Sequence, residues 1–107
     1  MILENELRIL FNEVERHAMP LVNNDSGARL SKEESRVLAL QAIHRLNQKI
    51  GFLVRTNSKE AGEMRLLQTF VNNLTLGIKN DNTQMVQSAL GSVRNIILTI
   101  EKSENPP

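Results

Sequence analysis

From Val86 to Ile100 the apolar side chains fall at 86, 89, 90, 93, 96, 97 and 100. That i, i+3, i+4, i+7 spacing puts them on one face of a helix over four turns. The same stripe recurs upstream. Leu3, Leu7, Leu10, Phe11, Val14 and Ala18 predict a helix over about 3–18, ended by Pro20 because the residue before proline is pushed out of the helical region. Asn23-Asn-Asp-Ser-Gly27 has turn chemistry. Leu38, Ala42, Leu46, Ile50 and Leu53, flanked by Val37, Ile43 and Val54, predict a second helix over about 32–54. Gly51 is a place for that helix to bend or stop. Met64, Leu67, Phe70, Val71, Leu74 and Ile78 predict a third over about 58–79, and the stripe at 86–100 a fourth over about 82–102.

Capping residues sharpen the starts. Ser31-Lys-Glu-Glu34 is a capping box, in which the Ser31 hydroxyl accepts from the Glu34 amide and the Glu34 carboxylate reaches back. Asn57 or Ser58 caps the third helix, with Glu60 and Glu63 set against its positive end. Asp81-Asn-Thr-Gln84 offers Asp81 as the cap of the fourth. The link at Asn80-Asp-Asn82 is so short that the third and fourth helices must be antiparallel neighbours. The expected fold is all-α, an antiparallel four-helix bundle in one domain over 1–107, with a frayed tail at 103–107.

Composition narrows the class without naming a chemistry. The chain has 107 residues, 40% hydrophobic and 23% charged, which is an ordinary single globular domain. It has no cysteine, so disulfides and thiolate metal sites drop out. No apolar run approaches the roughly 18 residues of a membrane span. The first residues lack the basic start and apolar run of a secretory signal, and cytoplasm is the expected location. Three Phe, no Tyr and no Trp give an aliphatic core and few platforms for stacking bases.

Charge is uneven. Residues 29–59 carry Arg29, Lys32, Arg36, Arg45, Lys49, Arg55 and Lys59 against Glu33 and Glu34, whereas 1–20 carry four Glu against Arg8 and Arg16. This makes Arg36, Arg45, Lys49 and Arg55 a candidate basic docking face for an acidic partner or for phosphates. The competing reading is a solvated face balanced by the first helix or another subunit. Elsewhere the signals are thin. Glu13 and His17 are the only i, i+4 pair involving a histidine, and His44 stands alone, so no metal site is expected. Ser31 and Ser58 are explained by capping, and Ser35 has no base beside it. Glu33 and Glu34 are adjacent and point apart. The five glycines are scattered, and no phosphate loop forms. No catalytic residue and no cofactor is expected.

Surplus apolar surface is the remaining lead. Ile2, Ile9, Met85, Leu98 and Ile100 widen the stripes of the first and fourth helices, and Leu40 that of the second. In a small domain such surface either finishes the core or faces a partner. The first five are taken as a candidate partner interface.

Leu30-Ser-Lys-Glu33-Glu34-Ser35-Arg-Val37-Leu38, followed by Gln41-Ala42-Ile43 and Leu46, resembles the first helix of the YmgB/AriR biofilm-development regulators, small enterobacterial all-α proteins. Asn57-Ser-Lys59, Leu66-Leu67, Ala89-Leu90 and Val93 continue the similarity in order, over roughly residues 30–98. About 28 further residues precede it, and alignment of the Gln-Ala-Ile segment takes a one-residue shift. The resemblance implies a dimeric, non-enzymatic connector that binds regulatory partners. Leu66-Leu-Gln-Thr-Phe-Val71-Asn-Asn-Leu74 is loosely similar to the third helix of bacteriocin immunity proteins, which are also four-helix bundles, although their aromatic and basic C-terminal extension is replaced here by Glu101-Lys-Ser-Glu-Asn-Pro-Pro. The expected function is a small regulatory protein that acts by protein–protein contact, as a homodimer and with an unidentified regulatory protein. An immunity-like protein and a nucleic-acid-associated regulator using residues 29–59 are the alternatives.

Overall fold

The computed structural model describes residues 3–23, 32–56 and 61–104. These form four helices: α1 Leu3–Asn23, α2 Lys32–Thr56, α3 Ala61–Lys79 and α4 Thr83–Glu104. They run alternately up and down, each packed against its two neighbours in the order α1, α2, α3, α4 and back to α1. The bundle measures 43 × 23 × 20 Å. Its long axis is close to the roughly 37 Å that 25 helical residues span, so the length of α2 sets the length of the molecule.

The core is almost purely aliphatic. Leu7, Phe11, Val14, Ala18 and Leu21 face inward from α1, and Met64, Leu67, Val71, Leu74 and Ile78 from α3. Both sets keep the strict alternation of three- and four-residue steps that points a narrow seam at a bundle axis. α4 contributes Val86, Ala89, Leu90, Val93, Ile97 and Ile100. Ile96 and Phe70, placed on the stripes by their spacing, are half-buried at the core edge. In α2 the buried face is turned from the expected one. Ala39 and Ile43 are buried with Ala42, Leu46, Ile50 and Leu53, while Leu38 is only half-buried and Val37 is exposed. The small Ala39 and Ala42 let neighbouring helices approach, which moves the face toward them.

Two features differ from the sequence expectation, the end of α1 and the cap of α4. α1 does not stop at Ala18 but continues through Pro20 to Asn23. Proline removes the amide that would bond to the Arg16 carbonyl and crowds that turn. The continued helix buries Leu21 and packs Val22 on the core. Burying one such side chain is worth roughly 1.5–3 kcal/mol, comparable to the proline penalty. α2 runs through Gly51 to Thr56, in keeping with its expected span over about 32–54, and Leu53 is buried beyond the glycine. The cap of α4 is Asn82 rather than Asp81, its Oδ1 accepting from the Met85 amide at 3.1 Å.

Asp81 has a different task. It sits at φ 56°, in the left-handed region. The Asn82 amide donates to the Gly77 carbonyl at 2.8 Å and the Asp81 amide to the Ile78 carbonyl at 3.3 Å. Together these are a Schellman motif closing α3, with Asp where glycine is usual. The capping box at Ser31, the cap at Asn57 or Ser58, the start of α3 at 58, Ile2, Arg29, Lys59 and the tail beyond Glu104 lie outside the described residues. Ser103 and Glu104 are helical.

Candidate interaction surface

Neither group of residues singled out by the sequence is brought together as a patch. Of the apolar set, Ile100 is fully buried (0% exposed) and finishes the core, so it cannot face a partner. Its stripe is continuous with Val93 and Ile97, and the fourth helix packs deeply enough to use all three. Ile9 is 66% exposed, Leu98 42% and Met85 36%. Met85 lies against the α3–α4 turn, its Cγ 3.2 Å from where a Cβ on Gly77 would be. Leu98 is thirteen residues further along α4, about 20 Å up the helix axis, in a groove with Arg8, Phe11, Asn12 and Arg94. Ile9 borders a different depression with Glu6, Leu10 and Lys49, between α1 and α2.

The basic set divides as well. At about 100° per residue, Arg36 and Lys49 lie roughly 140° apart around α2, on opposite flanks of its buried face. Each is engaged within the bundle. The Arg36 guanidinium pairs with Glu33 at 3.0 Å and reaches Asp81 at 3.6 Å, while Lys32 pairs with Asp81 at 3.1 Å. Lys49 pairs with Glu6 of α1, and its ammonium stands 5.4 Å from the Phe52 ring centre. These contacts tie α2 to the α3–α4 turn on one side and to α1 on the other. Arg45 and Arg55 remain on the outer face, with no ion pair among the described residues. α1 is fixed to α4 in the same manner, through Arg8 with Glu101 and Glu15 with Arg94. The Arg94 guanidinium also lies 5.9 Å from the Phe11 ring centre. The sequence missed this because charge counted along one helix says nothing about which helix answers it.

The titratable side chains offer little convergent chemistry. His17 is 3.7 Å from Glu13 on the same helix, and His44 is exposed on the outside of α2. Among the described residues no cluster of three His, Asp or Glu could hold a metal ion. Ser35 is buried against the core at the start of α2.

The outer face of α2 carries shallow, partly apolar surface. Val37, 47% exposed, lines two adjoining shallow depressions. One is shared with Leu40, Gln41, His44 and Arg45, the other with Glu33, Glu34 and Leu38. Val37, Gln41 and His44 are exposed on the side of α2 away from the core, while Leu40 at its edge packs against the core. Among the described residues no helix is long and apolar enough to cross a membrane. Comparisons with protein-family models, curated proteins and solved structures find no match to this chain.

Proposed function

We propose that this chain is a small, non-enzymatic, cytoplasmic regulatory protein that works by protein–protein contact, as a dimer and toward a regulatory partner. The observation that carries the reading is the exposed apolar surface. Every helix presents large hydrophobic side chains to solvent, including Ile9, Val37, Leu66 and Leu98, in addition to a complete core. Such surface on a domain this small favours a binding role. The similarity of residues 30–98 to the YmgB/AriR regulators points to the same kind of role. The nucleic-acid alternative loses support, because Arg36 and Lys49 are engaged within the bundle. Nothing in the geometry favours the immunity-like alternative.

The test is crosslinking in the native cells. A photoreactive amino acid is placed singly at Val37, Leu66 and Leu98, with exposed Gln87 as the control. The reading expects discrete polypeptide adducts from at least one apolar position and none from the control. Absence of adducts at all three positions overturns it.

A further inference from the structure

We propose that the outer face of α3, with the adjoining flank of α4, binds the same face of a second copy of this chain about a two-fold axis between Thr69 and Asn73. This rests on the contact role proposed above and names its surface and its occupant.

Charge divides the bundle into unlike halves. α1 carries six side chains of Glu or Arg, and α2 seven of Lys, Glu or Arg. The stretch 66–100 holds only Lys79, Asp81 and Arg94. Lys79 and Asp81 stand at the α3–α4 turn, and Glu15 draws Arg94 to the α1 side. Depletion of charge is the compositional mark of the buried centre of a protein interface.

Leu66 and Leu76 are the apolar anchors of this half, each 50% exposed and neither part of the core. With Thr69 and Asn73, also exposed, they follow i, i+3, i+7 and i+10 along the outer face of α3. Gly77, against Val86, marks the side of α3 next to α4. Arg94 and Glu101 mark the α1 side of α4, so Ser88, Ser92 and Thr99 on the opposite flank border α3. The Thr69 and Thr99 hydroxyls donate to the Arg65 and Asn95 carbonyls at 3.1 and 3.0 Å, so neither needs a partner from outside. Covering this surface therefore strands few polar groups.

The occupant follows from what the face lacks. A charged surface docked here would lose its hydration and find no opposite charge. A second copy brings an equally uncharged face, and the contact is isologous. α3 has 19 residues, about 28 Å, and the bundle is 20 to 23 Å across. A helical face of those dimensions approaches the roughly 800 Å² per partner of a stable contact. Leu66 and Leu76 are about 15 Å apart along α3. An axis midway between them sets Leu66 of each copy against Leu76 of the other, with the two α3 helices crossing antiparallel. Asn73 then stands beside its own counterpart.

Sedimentation equilibrium of the full chain tests this. The wild type is expected to be dimeric at tens of micromolar. Asn73→Arg alone sets two cations side by side at the axis, and Asn73→Glu alone two carboxylates. Each is expected to weaken the dimer by at least about tenfold. An equimolar mixture of the two variants is expected to recover a dimer with one copy of each. Gln48→Arg, on the exposed side of α2, adds the same charge and is expected to leave the dimer unchanged. Arg and Glu favour a helix more than Asn does, so the variants keep the fold, which circular dichroism melts verify.

A monomeric wild type at these concentrations overturns the proposal. So does a dimer indifferent to both Asn73 variants, weakening without recovery in the mixture, or equal weakening by Gln48→Arg. In each case adducts from the crosslinking experiment would keep the interaction role standing with another face or partner. Absence of adducts together with a monomer removes both.

Discussion

The α3–α4 hairpin and helix α1 are held in the bundle by different means. α3 and α4 are joined by three residues whose backbone amides close the Schellman motif and whose Asn82 caps the next helix. The crossing is so close that a Cβ at Gly77 would lie 2.9 Å from Val86 Cγ2 and 3.0 Å from the Val86 amide nitrogen. α1 contains a proline and is secured at its flanks by Glu6 with Lys49, Arg8 with Glu101 and Glu15 with Arg94. Backbone geometry specifies one position and tolerates little change. Flexible ion pairs guide a helix to its place and add little stability each.

Four substitutions break or sharpen that contrast. Gly77→Ala should have the largest effect, a destabilisation of about 1–3 kcal/mol, because the backbone of Val86 cannot move aside as a side-chain tip would. Chemical denaturation followed by circular dichroism measures it, and an unchanged midpoint would show that the hairpin is not closely packed. Pro20→Ala should act in the opposite direction, stabilising by about 1–2 kcal/mol as the missing amide bond to the Arg16 carbonyl is restored. A loss of stability there would mean that the proline fits α1 better than its continuous helix implies.

Gly91→Ala is the internal control for Gly77. Nothing lies within 4 Å of its added Cβ, so only helix propensity changes, and a gain of about 1 kcal/mol is expected. A rise of roughly 4–8 °C in the melting temperature reports it, and a fall would place an uncounted neighbour beside α4. Glu15→Gln should have the smallest effect, below about 1 kcal/mol and shrinking as salt is added. Melts at low and high ionic strength give the comparison. A salt-independent cost would point to packing by the Glu15 side chain rather than charge.

The four helices were legible because each has an apolar stripe of its own, and a stripe is a property of one helix. What a single helix cannot show is how its neighbours are rotated, and each correction comes from there. Ile100 and Leu98 are two residues apart and equally apolar, yet one is buried and the other is exposed, because α1 and α3 cover one side of α4 and not the other. The segment 29–59 looked like a basic face, but Arg36 and Lys49 go to opposite flanks and find carboxylates on the α3–α4 turn and on α1. Pro20 marked a stop by local rules, and burial of Leu21 overrode it. The one-residue displacement of the α4 cap arose because Asp81 and Asn82 are both good caps. The left-handed turn at Asp81 decides between them.

The three-residue connection also has a consequence in time. Closing so short a loop costs little chain entropy, which favours early formation of the α3–α4 hairpin from an unfolded chain. Arg8 and Glu101 are separated by 93 residues, and their helices can meet only after most of the chain has been brought together. Damage at Gly77 will slow folding, whereas loss of the Glu15–Arg94 contact will hasten unfolding.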